Sequence, residues 1–222
     1  MYLSVCTRPD ISTAVSFLSR FVNSPKWHHW LAVKRVLRYL RGTSNYGLKL
    51  GFKQPVLYGY SDSNWGEDLD TRCSTGGYVF QIDGCTVAWS SRLQRDVALS
   101  ATEAEYMAVT EAVREALWNI KLSHAFQMNV GPTPIYVDNI GCMDLSKNPK
   151  FHARTKHIGI RHHFIRAAIS RKIVRLVHVP SEENVADIMT KPLKRITFEY
   201  LRAKLNVLPV PGIEIKPINT DD

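Results

Sequence analysis

The pattern of apolar and polar residues changes character near residue 55. Upstream, apolar residues recur at helical spacing and predict two helices, one beginning near Pro9 and one near Lys26, followed by a short strand at 46–50. Downstream, apolar runs bounded by turn residues predict five strands: 56–62, 74–82, 85–90, 134–138 and 173–179. Helical spacing predicts a long helix at 100–126 and shorter ones at 139–147, 155–170, from about 182, and 196–205.

This order predicts an α/β fold, because three antiparallel strands precede a helix and the later strands alternate with helices. We expect a five-stranded mixed sheet with helices on both faces, formed by residues 52–193. Two helices alone make a poor core, so residues 1–51 should pack against the rest of the chain or belong to something larger. Residues 194–222 should form a C-terminal helix and a loose tail from Pro209.

The long helix begins with two glutamates two residues apart, which point to nearly opposite sides. Glu105 is in line with Val109 and Ala112, on the apolar stripe that should face the core. Glu103 lies on the other side, three residues after Ser100, which is the spacing of a capping box. A carboxylate that faces a core is unfavourable unless a partner or a cation meets it.

Three aspartates could share such a cation with Glu105. Asp62 and Asp138 end the first and fourth predicted strands, and Asp187 lies early in the helix after the fifth. Clustered carboxylates repel one another unless cations neutralise them, and oxygen ligands suit Mg²⁺ or Mn²⁺. Two such ions can activate a water and stabilise the leaving oxygen of a phosphodiester, which indicates a nuclease. Spacing alone leaves a second interpretation open, in which these are surface and capping acids.

His178 precedes Asp187 by nine positions. A histidine beside a two-metal site could carry protons to the leaving oxygen or the water. The alternative is a half-buried histidine at the end of a strand. The sequence leaves both interpretations open.

The net charge of +9 favours a phosphate-rich partner over a membrane surface. No acid occurs between Leu145 and Ser181, and we expect Arg154, Lys156 and Arg161 in this basic segment to contact nucleic-acid backbones rather than form a solvated face.

No apolar run approaches the roughly 18 residues of a membrane span, and early charges exclude a signal-peptide core. The four cysteines lack CxxC spacing, which predicts free thiols in a reducing compartment and argues against zinc.

Several motifs resemble the ribonuclease H region of copia-type retrotransposon Pol polyproteins, namely residues 70–80, 98–106, 154–158, 161–166 and 185–193. Residues 7–11 and 34–43 resemble the end of the reverse transcriptase in the same polyprotein, so 1–51 is interpreted as a remnant of its thumb or connection region. Tyr136–Asn139 resembles the Tyr-x-Asp-Asp polymerase signature but has Asn139 in place of the second acid, so we expect no polymerase activity.

The resemblance implies an RNase H fold that cuts the RNA strand of RNA–DNA hybrids with two Mg²⁺ ions, for which Mn²⁺ can substitute. It places the family's four acids on Asp62, Glu105, Asp138 and Asp187, the same four reached above. In the wider family a loop histidine assists turnover; His178 lies near that place, in a shorter segment. Polar residues flanking the acids could contact the hybrid: Ser63, Asn64, Ser100, Thr102 and Asn139.

The expected partners are an RNA–DNA hybrid and the remainder of a reverse transcriptase polyprotein, with no membrane. The expected location is the cytoplasm, in a virus-like particle, or the nucleus. One alternative is a catalytically silent remnant that only binds nucleic acid. Another is a domain that binds protein partners through its N-terminal helices.

Overall fold

The computed structural model describes residues 1–51, 54, 56–128, 130–147 and 159–211. The described helices are α1 (Tyr2–Cys6), α2 (Ser12–Ser19), α3 (Trp27–Gly42), α4 (Ala101–Ala125), α5 (Ile140–Lys147), α6 (Gly159–Ser170) and α7 (Arg195–Lys204). The strands are β1 (Tyr46–Leu48), β2 (Leu57–Ser63), β3 (Thr75–Ile82), β4 (Cys85–Leu93), β5 (Thr133–Val137), β6 (Val174–His178) and β7 (Val207–Pro209). Short 3₁₀ helices cover Pro9–Ile11, Ser181–Glu183 and Val185–Met189.

The central sheet has five strands in the order β4-β3-β2-β5-β6. β2, β3 and β4 pair antiparallel, whereas β5 is parallel to β2 and β6 is parallel to β5. The β3–β4 hairpin turns at Asp83 and Gly84, both with positive φ, as the Asp-Gly pair predicts. The predicted α/β fold with a mixed five-stranded sheet is therefore confirmed.

Successive side chains of β3 point to opposite faces of the sheet, and each face has its own core. Phe80 packs with Tyr106 and Val109 of α4 and with Ile165 of α6. Val79 packs on the other face with residues of the Val185–Met189 3₁₀ helix, α7 and β7: Val185, Ile188, Met189, Leu201, Leu205 and Val207. Helices thus cover both faces, as predicted.

A second sheet of two strands joins the end of the 1–51 segment to the C-terminal end of the described chain. β1 pairs antiparallel with β7, with Tyr46 opposite Pro209 and Leu48 opposite Val207. Tyr46 and Leu48 pack against the core that contains Leu201 and Leu205. Residues 1–51 therefore pack on the rest of the chain, one of the two outcomes the sequence analysis allowed.

Three local predictions need correction. The helix predicted from about Glu182 is two 3₁₀ helices, because Asn184 is extended and its side chain accepts a hydrogen bond from the backbone N–H of Ala186. Glu103 was expected on the far side of α4 from the core, yet it is buried as well, with Oε2 accepting from the Leu99 N–H. The helix predicted from Pro9 is a 3₁₀ turn followed by α2.

None of the helices in the described part of the chain combines the length and the apolar character needed to cross a membrane.

Candidate active site

Three aspartates meet at the C-terminal edge of the parallel strands. Asp62 lies near the end of β2 and Asp138 directly follows β5; these strands are parallel neighbours, with Tyr60 opposite Tyr136. Asp187 comes from the 3₁₀ helix Val185–Met189, which packs on the sheet beside β2 and β3. One carboxylate oxygen from each aspartate lies within 4.8 Å of the others.

Glu105, in the first turns of α4, is not part of this 4.8 Å group, but its charge interacts with those of Asp62 and Asp138. Only 6% of the residue is exposed, which confirms that it lies on the core side of the helix. Its Oε1 accepts a hydrogen bond from the backbone N–H of Ser63 at 3.2 Å. Its Oε2 is buried and has no hydrogen-bond partner within the part of the chain that the structure describes. We call Asp62, Glu105, Asp138 and Asp187 the acid cluster.

Burial and mutual repulsion raise the pKa values of three members of the acid cluster, Asp62, Glu105 and Asp187. Burial raises the pKa of Glu105 to about 9, and the charges of Asp62 and Asp138 act in the same direction. Burial and the Asp62 charge raise the pKa of Asp187 to about 7. Burial also raises the pKa of Asp62, against the opposing effects of Lys191 and the Thr190 hydroxyl. These directions show that the protein itself does not fully compensate the negative charge gathered here.

Lys191 supplies the cluster with a partial counter-charge. Its Nζ lies 3.0 Å from Oδ1 of Asp187 and 3.8 Å from Oδ2 of Asp62. Burial acts to lower the pKa of Lys191, but the Asp62 and Asp187 carboxylates outweigh it and the pKa is raised. The Thr190 hydroxyl donates to Oδ2 of Asp62, and Ser181 Oγ donates to Oδ2 of Asp138 at 2.8 Å.

The acid cluster fits hard divalent cations. It offers carboxylate oxygens, which are the ligands that Mg²⁺ and Mn²⁺ prefer. Lys191 pairs with Asp62 and Asp187, and within the described residues the buried Oε2 of Glu105 accepts no hydrogen bond. Asp62, Glu105, Asp138 and Asp187 are the residues that would hold such ions.

The predicted contact residues next to the acids also form hydrogen bonds within the fold. Asn64 is buried: its Nδ2 donates to the Thr190 carbonyl at 3.0 Å and its Oδ1 accepts from the Thr75 N–H at 2.5 Å. Ser100 is the exposed N-cap of α4 and accepts from the Glu103 N–H. Asn139 Oδ1 accepts from the Cys142 N–H at the start of α5.

Some of these residues remain partly accessible at the edge of the site. Thr102 and Asn139 are half-buried near Gly141, where an added Cβ would meet both side chains. Ser63 differs from these two residues, because its hydroxyl is buried and has no hydrogen-bond partner among the described residues, and its backbone N–H donates to Glu105. Their contacts with nucleic acid stay a prediction.

The more distant predicted residues do not join the acid cluster. His178 is exposed at the end of β6, opposite Val137 and therefore one residue from Asp138 in the neighbouring strand. Arg161 on α6 forms an ion pair with Asp96 at 2.8 Å, so a residue from the β4–α4 loop supplies the acid that its own segment lacks. Arg154 and Lys156 lie outside the described residues.

Sequence reasoning missed the residues that hold the acids in place: Ser181, Asn184, Thr190 and Lys191. Lys191 and Thr190 belong to the 185–193 motif, and Lys191 follows Asp187 by four residues, a spacing that could have indicated an ion pair. No comparable local signal marks Ser181 or Asn184, because their partners lie far away along the chain.

The sequence is similar to segments of curated polyproteins. It is 44% identical over 202 residues to the retrovirus-related Pol polyprotein from transposon TNT 1-94 of Nicotiana tabacum, covering 91% of this chain. The chain belongs to the copia-type retrotransposon Pol polyprotein family. A second member, the retrovirus-related Pol polyprotein from transposon RE2 of Arabidopsis thaliana, is 41% identical over 214 residues, or 92% of this chain.

The match covers a small part of these Pol polyproteins. The chain spans 15% of the TNT 1-94 polyprotein and 14% of the RE2 polyprotein. No family model matches the chain. Among solved structures, LC11-RNase H1 in complex with an RNA/DNA hybrid aligns with a TM-score of 0.45 and 15% identity, covering 60% of this chain and 93% of that one. The mixed five-stranded sheet described above agrees with the fold expected for this segment of the family.

Proposed function

We propose that this chain is a ribonuclease H that hydrolyses the RNA strand of RNA–DNA hybrids with two Mg²⁺ ions. The observation that carries the proposal is the convergence of Asp62, Asp138 and Asp187, from three separate elements, with carboxylate oxygens within 4.8 Å of one another. Grouping like charges in a buried place is unfavourable for folding, so such a cluster points to a bound cation.

When bound, the ions would activate a water and stabilise the leaving oxygen of the phosphodiester. The chain contributes the positions of their ligands. Asp62 and Asp138 are fixed by the register of β2 and β5, and Ser181 and Thr190 orient their carboxylates. The Ser63 N–H directs one oxygen of Glu105 and leaves the other free to accept.

The choice of hybrid as substrate rests on charge, on family and on the groups around the cluster. A net charge of +9 favours a polyanion, and copia-type Pol polyproteins supply the context of reverse transcription. Ser100, Thr102 and Asn139 are the predicted contact residues here, and they carry hydroxyl and amide groups. Such groups can bind the 2′-hydroxyls that distinguish RNA from DNA.

A cleavage assay tests the proposal. The full chain with Mg²⁺ should cut the RNA of a labelled hybrid, leave single-stranded RNA and duplex DNA intact, and lose activity in EDTA. Asp138→Asn should abolish cutting and retain hybrid binding, whereas Asp144→Asn, an exposed carboxylate on α5, should cut normally.

Two results would contradict the proposal. Cutting by Asp138→Asn at the wild-type rate would show that the acid cluster is not the site. Hybrid binding that weakens steeply with salt, with no cleavage in Mg²⁺ or Mn²⁺, would indicate a silent remnant that only binds nucleic acid.

A further inference from the structure

The turn that carries Asp187 is held from several sides. On the sheet side, Asn184 Nδ2 donates to the Ser61 carbonyl at 3.0 Å, and Asn64 Nδ2 donates to the Thr190 carbonyl at 3.0 Å. Met189 packs against Gly77 of β3 so closely that a Cβ at Gly77 would lie 2.5 Å from the Met189 Cβ. These contacts fix the two ends of the segment 184–190 against the sheet.

The other side of this turn is held by the N-terminal part of the chain. Thr13 Oγ1, in the first turn of α2, donates to the backbone carbonyl of Ile188 at 2.5 Å. Ile188 directly follows Asp187 and is itself 3% exposed, so this carbonyl lies where water has little access. An unmade hydrogen bond there would leave a buried acceptor without a partner.

Helix α2 is in turn anchored to the rest of the molecule. Ser12 Oγ donates to the Ser4 carbonyl at 2.8 Å, and the Trp89 indole N–H of β4 donates to the same carbonyl at 2.7 Å. The hydroxyl of Thr13 is therefore presented by a fixed helix, and the hydrogen bond transmits that position to the residue after Asp187.

We propose that Thr13 is a positioning residue for Asp187, and that residues 1–51 are thus part of the scaffold of the acid cluster. The catalytic part of this inference rests on the proposed function. Its structural part, the placement of a metal-binding carboxylate, can be measured without cleavage. Removing the hydroxyl should let the turn shift and should misplace Asp187 relative to Asp62 and Asp138.

The experiment uses the full chain with Thr13→Val, which keeps the shape and removes the hydroxyl, and Thr13→Ser, which keeps the hydroxyl. Ser19→Ala is the matched control, because the Ser19 hydroxyl donates to the Ser16 carbonyl within the same helix. Titration calorimetry with Mg²⁺ alone measures the affinity of the cluster, and steady-state cleavage separates kcat from KM.

We expect Thr13→Val to bind Mg²⁺ about threefold to tenfold more weakly and to lose about tenfold in kcat, with KM nearly unchanged, since small displacements of a reacting group are costly. Thr13→Ser and Ser19→Ala should match the wild type. Should Thr13→Val fail to fold, Thr13→Ala takes its place as the second variant without the hydroxyl.

The inference is overturned if the hydroxyl-free variant binds Mg²⁺ as well as the wild type, or if Thr13→Ser is as impaired as Thr13→Val. A purely structural role would lower the melting temperature and leave Mg²⁺ affinity and kcat of the folded protein unchanged. Failure of the proposed function looks different, because then the wild type itself does not cut the hybrid while the difference in Mg²⁺ affinity between variants persists.

Discussion

Two buried clusters of charged and polar side chains in this molecule differ in how far their charges are compensated. The first is the acid cluster. The second, which we call the N-terminal network, contains Arg8, Asp10, Tyr39, Thr43 and Arg202 and joins residues 1–51 to α7.

Within the N-terminal network the charges of Arg8 and Asp10 are matched, whereas Arg202 has a hydroxyl partner and its Nε is buried without a partner in the described part of the chain. Arg8 forms a bidentate pair with Asp10, at 2.9 Å from Nε to Oδ1 and 2.7 Å from Nη2 to Oδ2. Its Nη1 donates to the Thr43 carbonyl at 3.1 Å. Tyr39 donates to Asp10 at 2.6 Å and accepts from Arg202 at 3.2 Å.

The acid cluster has an excess of negative charge instead. Of its four carboxylates, those of Asp62 and Asp187 pair with Lys191, and the pKa values of Asp62, Glu105 and Asp187 are raised. A matched buried network holds a structure together, whereas an unmatched one needs a ligand. The difference teaches that burial of charge is not itself the sign of a functional site; incomplete compensation is.

The largest expected effect comes from removing one charge of the acid cluster. Asp62→Asn should reduce cleavage by about 10³-fold or more, on the scale of ~4 kcal/mol of transition-state stabilisation. The same change should raise the melting temperature of the metal-free protein, because it relieves repulsion in a buried place. Asp70→Asn, at an exposed position, is the control. A lower melting temperature for Asp62→Asn would contradict the contrast between the two clusters.

The corresponding substitution in the N-terminal network should lower the stability of the folded protein. Arg8→Met leaves Asp10 buried without its ionic partner and should lower the free energy of unfolding by about 3–5 kcal/mol. Urea unfolding measures this, with Arg35→Met on the exposed side of α3 as a control that changes it by less than about 0.5 kcal/mol. A small effect of Arg8→Met would mean that the network is not a matched structural cluster.

Proton binding should distinguish the clusters between about pH 4 and pH 9. Glu105 and Asp187 have raised pKa values of about 9 and about 7 in the fold, so the folded chain holds protons that the unfolded chain releases near its ordinary values. The stability of the metal-free protein should therefore fall as pH rises through this window.

Mg²⁺ affinity should change with the opposite sign, by up to about tenfold per pH unit for each proton released. Calorimetry in buffers of different ionisation enthalpy counts these protons. Arg8 of the N-terminal network has a pKa raised above an already high value and does not titrate here. An affinity that is flat from pH 6 to pH 9 would contradict the raised values.

The smallest effect concerns Lys191, whose side chain is 33% exposed. Lys191→Met should lower the stability of the metal-free protein by about 1 kcal/mol, because a partly exposed ion pair contributes little. Mg²⁺ should bind more tightly, since a competing positive charge has gone. Lys194→Met, exposed three residues further on, should leave both quantities unchanged. Weaker Mg²⁺ binding by Lys191→Met would show that the ammonium supports the ion instead of competing with it.

The sequence by itself determined the main strands and the long helix, and it singled out the three aspartates that the structure brings together. Apolar periodicity and turn residues are local signals, so β2 to β6 and α4 lie where they were predicted, within a few residues. Helical geometry alone placed Glu105 on the core side of α4, and the 185–193 motif that resembles the family contains Asp187.

The tertiary structure alone decided how the acids are held and what joins the ends of the described chain. Asn184 donates to a backbone carbonyl of β2, Thr13 donates to the carbonyl of the residue after Asp187, and β1 pairs with β7 across most of the sequence. Hydrogen bonds of this kind join residues more than 120 positions apart, and a local sequence pattern does not reveal such partners. Local patterns specify which residues can act, whereas long-range contacts specify where their atoms lie.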